Sequence, residues 1–162
     1  MSLGPFRAVI SYHSYWEVIF YPDAAVGNTF VEWVGHGMVD LIAQPRGTTY
    51  RFWNNSSTVD PSNYLTTGEL VDYAYERSPG RPCFTPELSP RDDSNGWGFS
   101  ALPETEIEAC FLENLPAALA LINAAGHDAI AGNRSVPFTS AATAAKCQVV
   151  RNSWEVFRDW VP

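Results

Sequence analysis

Three side chains suited to hydrolysis stand far apart in this sequence: His13, Tyr64 and Glu87. An imidazole can ligate a metal or carry a proton, a carboxylate can take a proton from water, and a phenol can donate a hydrogen bond to a substrate. His13 follows a largely apolar run from Arg7 to Tyr12, and Glu87 lies near the end of another from Pro82 to Leu88. In α/β proteins, sites gather beyond the carboxyl ends of strands. Taken singly, each residue also has an ordinary reading, as a satisfied structural histidine, a packing aromatic and an edge glutamate. General signatures narrow the choice. The sequence has no His-Glu-x-x-His, no Gly-x-Ser-x-Gly, no phosphate-loop Gly-x-x-x-x-Gly-Lys and no complete Gly-x-Gly-x-x-Gly. Gly35-His36-Gly37 lacks the third glycine and falls inside a predicted helix, which argues against a dinucleotide site.

The elements that must position these groups follow from periodicity. Arg7 to Tyr12 reads as a short strand and Val18 to Tyr21 as a second, ending at Pro22. Gly27 and Asn28 open a helix in which Phe30, Val31, Val34, Met38, Leu41 and Ile42 recur at helical steps, until Pro45 and Gly47 end it. Thr48 to Trp53 reads as a strand and Asn54 to Asn63 as a polar loop. Glu69 to Glu76 reads as a short helix with Leu70, Tyr73 and Ala74 on one side. Pro82 to Leu88 is a strand whose Pro86, lacking an N–H, points to an edge or a bulge. The last clear helix starts at Pro103, buries Ile107, Phe111, Leu115, Leu119 and Ile122, carries Pro116 as a kink and closes at Gly126. The fold class expected is α/β, a small mixed β-sheet of three to five strands covered by helices near residues 28–43, 69–76 and 104–124.

Composition bounds the partners. With 162 residues, 46% apolar and 17% charged, the chain has the balance of one folded, water-soluble domain rather than of a disordered segment. A formal charge of −8 repels phosphate backbones, so neither nucleic acid nor an anionic membrane is an expected partner. Cys83, Cys110 and Cys147 show no zinc-finger spacing and read as buried reduced thiols, with one disulfide plus a free thiol as the alternative. Met1 to Leu3 read as a vector-derived start, and no targeting segment is expected within the chain.

Order and spacing change the weight of the single residues. Ile10-Ser11-Tyr12-His13-Ser14-Tyr15, followed by Val18 to Pro22, resembles the strand and turn of carboxypeptidase A-like zinc metallocarboxypeptidases that carry a zinc-binding histidine. Tyr64 to Tyr75, with Gly68, Val71 and Asp72, is similar to that family's substrate tyrosine, glycine turn, pocket residue and Asp-aromatic-x-Tyr helix. Phe84-Thr85-Pro86-Glu87-Leu88 is similar to its catalytic Phe-Thr-x-Glu-Leu strand, and Gly98-Phe99 with Pro103 to Ile107 to the start of its final helix. The resemblance implies His13 as a metal ligand, Glu87 as the catalytic acid and base, and Ser14, Tyr15, Tyr64, Val71 and Thr85 as substrate-binding residues. It implies zinc as the cofactor of the intact family site and a peptide C-terminus as substrate. Val71, where basic-residue specialists of the family carry an acid, implies with Thr85 a pocket for an apolar C-terminal side chain.

The departures are Pro86, one extra residue between Asp72 and Glu87, and a tail over 126–162 that matches nothing in the family. A larger departure is the absence of any His-x-x-Glu, the pair that supplies the other zinc ligands upstream in the family. Asn133-Arg134 has the letters of the family's substrate-binding pair but lies downstream. Residues 4–125 therefore resemble only the carboxyl-terminal half of the catalytic domain, with zinc absent or weakly held by this chain alone. Three expectations follow: a fragment inactive alone, a non-catalytic peptide- or protein-binding module, or a chain completed by a separate amino-terminal half. A sheet cut from a larger domain also leaves open edges, which predicts self-association.

Overall fold

In the computed structural model, residues 6–55, 68–89 and 104–126 are described. Tyr64, Gly98, Phe99, Pro103, Cys147, the Asn133-Arg134 pair and the tail after Gly126 lie outside them. Five strands, β1 (Val9–Ile10), β2 (His13–Ser14), β3 (Val18–Tyr21), β4 (Arg51–Asn54) and β5 (Cys83–Leu88), are joined by helices α1 (Thr29–Arg46), α2 (Leu70–Arg77) and α3 (Glu104–Gly126). The sheet is mixed, as the sequence predicts. Its order is β1-β5-β3-β4, with β2 also on β5. β1 and β2 run parallel to β5, β3 runs antiparallel to β5, and β4 runs parallel to β3.

α1 begins where the Asn28 side chain accepts the N–H groups of Phe30 and Val31, both at 3.2 Å. Its buried stripe is Val31, Val34, Met38, Leu41 and Ile42. Pro45, expected to end the helix, lies inside its last turn, since its fixed φ suits a helix at the cost of one hydrogen bond. Gly47 then closes it at φ +78°, in the left-handed region, with its N–H on the Ala43 carbonyl at 2.8 Å.

Pro86 corrects a second expectation. β5 is neither an edge nor a bulge; it is an inner strand, and Pro86 sits opposite Ile19 of β3. The missing N–H is absorbed by the neighbouring strand instead. Val9 pairs with Cys83 and His13 with Glu87, a single register, yet the ladder lapses at Ser11–Tyr12, which that register sets opposite Thr85–Pro86. The continuous strand expected over Arg7 to Tyr12 is therefore divided into β1 and β2.

The helices also bury other residues than expected. On α2 the buried side is Val71, Ala74 and Tyr75, while Leu70 and Tyr73 are exposed. On α3 the inner stripe is Cys110, Glu113, Asn114, Ala117, Ala120, Leu121 and Ala124, and Ile107, Phe111 and Ile122 face outward. The alanines bring α3 close to α1, and a buried charge takes the place that a large apolar side chain was expected to fill. α3 is long and apolar enough over Glu106–Gly126 to cross a membrane by composition, which the sequence reading did not anticipate. Its packing against α1 and the ion pair of Glu113 with Arg46 account for that composition within a folded domain. Cys83 and Cys110 are buried free thiols, as expected, and burial pushes Cys83 up to about 12.

Gly35 marks the tightest approach of α1 to the sheet. A Cβ there would lie 2.2 Å from Cε2 and Cζ of Phe52, whose ring is itself stacked on Tyr21 at 4.5 Å and edge-on to Phe84 at 6.0 Å. The ring has little room to yield. Gly35→Ala is expected to cost about 1–3 kcal/mol despite alanine's better helix propensity. Urea unfolding checks this, and the cost should shrink in a Phe52→Leu background.

Candidate active site

Register alone gathers the site. Side chains alternate along a strand, and directly paired residues share a face. His13 is paired with Glu87, and Glu87 in turn with Val18; Thr85 is paired with Phe20. Continuing the same register sets Ser11 beside Thr85, so Ser11, His13, Thr85 and Glu87 form a square on one face of the sheet. The opposite face carries Ile19, Phe52 and Phe84, which join the core beneath α1.

His13 is exposed, and its Nε2 lies 3.0 Å from Ser11 Oγ. With Ser11 accepting from Nε2–H, Nδ1 keeps a free lone pair, the state in which a histidine ligates a metal. The contact of Ser11 with His13 was not foreseen from the sequence, although its place two positions before His13 on a strand was a signal. Glu87 is half-buried with no hydrogen-bond partner among the described residues. Burial raises its carboxyl above the usual range; His13 pulls it down, and the nearby Glu69 pushes it up again.

Glu69 is the other residue not foreseen. It precedes α2, its side chain accepts the backbone N–H of Asp72, and the Asp72 carboxylate returns the bond to the Glu69 N–H at 3.1 Å. The same Glu69 carboxylate accepts from Thr85 Oγ1 at 3.3 Å. A residue with no chemical motif of its own is thus tied to the strand that carries Glu87.

The remaining expected residues are divided. Thr85 is buried and faces the square, while Val71, with 0% exposure, is enclosed in the core cluster. Alternation directs Ser14 away from the His13 face, and its peptide bond to Tyr15 is cis. Tyr64 belongs to the residues not described.

A catalytic zinc takes three protein ligands and an open position. Among the described residues no group of three His, Cys, Asp or Glu side chains could hold a metal ion. His13 alone does not make the site, so these residues do not fit a resident zinc without further ligands.

Residues 1–117 match the sequence model of the zinc carboxypeptidase family, and the chain belongs to that family. Solved structures agree with the fold. Carboxypeptidase A from Helicoverpa armigera superposes with a TM-score of 0.58 at 19% identity, over 74% of this chain and 30% of that one. Bovine thrombin-activatable fibrinolysis inhibitor, in complex with tick carboxypeptidase inhibitor, gives 0.58 at 27% identity, over 74% and 39%. A further structure of thrombin-activatable fibrinolysis inhibitor gives 0.59 at 28% identity, over 72% and 28%. The chain therefore spans well under half the length of these structures. Comparison with curated proteins found no match.

Proposed function

We propose that this chain carries the general base and one metal ligand of a metallocarboxypeptidase site that removes C-terminal residues from peptides, and that it is inactive alone. The observation that supports this most is the direct pairing of His13 with Glu87 on adjacent strands. Glu87, half-buried and beside His13, takes a proton from the attacking water and returns it to the leaving amine. A pKa raised by burial suits a group that must both accept and release that proton. From the family resemblance alone we assign Thr85 to the pocket for the C-terminal side chain, and Ser14, Tyr15 and Tyr64 to contacts with the bound peptide.

Zinc belongs to the completed site. His13 lies on a strand that pairs with β5 on one side, and it is exposed, so ligands from outside these described residues can reach it. Those ligands come from an amino-terminal half of the domain, whether on the same polypeptide or a separate one. Among the described residues no further strand pairs with β1 or β2 beyond β5, and without that half this edge is a place for self-association. Solution scattering of the chain should show oligomers that dissociate when the amino-terminal half is added; a monodisperse monomer at all concentrations would contradict the open edge.

The test of function is the release of a C-terminal amino acid from a short peptide. The chain alone should be inactive, and addition of a separately produced amino-terminal half with zinc should restore turnover. A completed assembly that binds such peptides but never cleaves them would instead establish the binding-module reading.

A further inference from the structure

α3 packs its inner stripe against α1 and carries a second apolar stripe on a side that this packing leaves outward. At 3.6 residues per turn, Ile107, Phe111, Leu115, Ala118 and Ile122 fall within an arc of about 80°, centred about a third of a turn from the inner stripe. Ile107 is 59% exposed, Phe111 42% and Ile122 68%, while Leu115 and Ala118 are part-exposed. Single exposed apolar residues are ordinary on a folded protein. A row of them over about four turns of one helix marks a surface that something covers.

The chain itself supplies a cover. Residues 127–162 lie outside the described residues, continue directly from the end of α3, and fall beyond the part of the chain that matches the family, which ends at 117. Their sequence sets Val150, Trp154, Phe157 and Val161 at steps of four, three and four, the spacing of one helical face. Val150 to Val161 would span about 17 Å as a helix, close to the roughly 22 Å from Ile107 to Ile122. The 23 residues between Gly126 and Val150 reach up to about 75 Å when extended, so the segment can turn back along α3. Charge agrees with this. Residues 127–162 hold four of the ten bases, Arg134, Lys146, Arg151 and Arg158, and only three of the eighteen acids, so a weakly positive segment faces a strongly negative remainder. An antiparallel run brings its Arg158 end to the end of the stripe where Glu108 is exposed.

We propose that the outer stripe of α3 is the docking site of this chain's own carboxyl-terminal segment, with Val150, Trp154, Phe157 and Val161 laid antiparallel along Ile107, Phe111, Leu115 and Ile122. Tethering favours this occupant over a second copy. A segment joined to α3 meets it at an effective concentration in the millimolar range, whereas a second copy meets it only at the concentration of the protein. The proposal stands apart from the carboxypeptidase reading, and it gives the residues beyond the family match a place in the molecule.

The test compares amide spectra of the isotope-labelled full chain with those of its Trp154→Asp, Phe157→Asp double variant, which changes no described residue. The shifts should cluster at Ile107, Phe111, Leu115 and Ile122, while the amides of β3 and β5 stay in place and report an intact fold. The reciprocal variant, Ile107→Asp with Ile122→Asp, alters two exposed positions that the fold tolerates, and it should move the indole N–H signals of Trp154 and Trp160. Excess unlabelled parent chain added to the labelled Trp154→Asp, Phe157→Asp variant should leave the α3 signals where the variant put them. Parent-like α3 signals in that variant would overturn the proposal. So would their return on addition of the parent chain, which would assign the stripe to a second copy. A stripe whose signals differ between parent and variant only when phosphatidylcholine vesicles are present would overturn it in favour of a lipid surface.

Discussion

Glu113→Ala is expected to remove about 3 kcal/mol or more of folding stability, near the lower end for breaking a buried ion pair because Arg46 can still turn toward water. Glu113 is 0% exposed and is the acceptor on which four side chains converge. Arg46 at the end of α1 forms an ion pair with it, Thr48 Oγ1 donates at 2.6 Å, Ser89 Oγ at 2.5 Å and Tyr50 Oη at 3.2 Å. Tyr50 also accepts the Ser89 N–H at 2.7 Å, which fixes the chain as it leaves β5. Removing the carboxylate leaves three hydroxyls and a guanidinium without their acceptor, each a cost of its own. A domain of this size has about 5–15 kcal/mol in all, so the loss is a large fraction.

The pH dependence follows from the same cluster. Burial pushes the Glu113 carboxyl up, but the bonds from Arg46, Ser89 and Thr48 outweigh it and hold the group below the usual carboxylate range. A carboxyl with a depressed folded pKa contributes stability that is present above its unfolded pKa and lost as the pH falls through the folded value. Urea midpoints of the parent and of Glu113→Ala should therefore lie far apart at neutral pH and converge in acid. Parallel curves over that range would show that the carboxylate is not what holds α3 in place.

Glu87→Gln has the second large effect, on a different property. In the assembly completed by the amino-terminal half, it should lower kcat by about 10²–10⁴-fold, the span expected when a positioned general base is removed. Stability should not fall with it. Glu87 has a raised folded pKa, so the stability it provides is full below its unfolded pKa and lost as the pH rises through the folded one. At neutral pH the neutral amide therefore leaves the melting temperature unchanged or higher. A variant that loses activity only in proportion to unfolded protein would deny Glu87 its part in the chemistry.

The sequence disclosed most where a pattern is local. Asn28 and Gly47 bracket α1 by capping chemistry, and the largely apolar runs Val18 to Tyr21 and Pro82 to Leu88 yield β3 and β5. It misled where long-range partners override a local rule. Pro86 is tolerated inside the sheet because β1 and β2 part opposite it, a property of register that one segment cannot display. The apolar residues Ile107, Phe111 and Ile122 suggested the inner stripe of α3, whereas the choice was made by Arg46, Thr48, Tyr50 and Ser89, which together call for an acid at Glu113. The pairing of His13 with Glu87 joins two residues that the family's ordered motifs singled out; Ser11 and Glu69 went unnoticed, because each depends on a partner, 2 and 16 residues away.

The quantity that bears most directly on all of this is the zinc content of the purified protein by elemental analysis, alone and after assembly with the amino-terminal half. The chain alone should hold far less than one zinc, the assembly close to one, and His13→Ala should abolish the gain. One tightly held zinc on the isolated chain, undisturbed by His13→Ala, would contradict it.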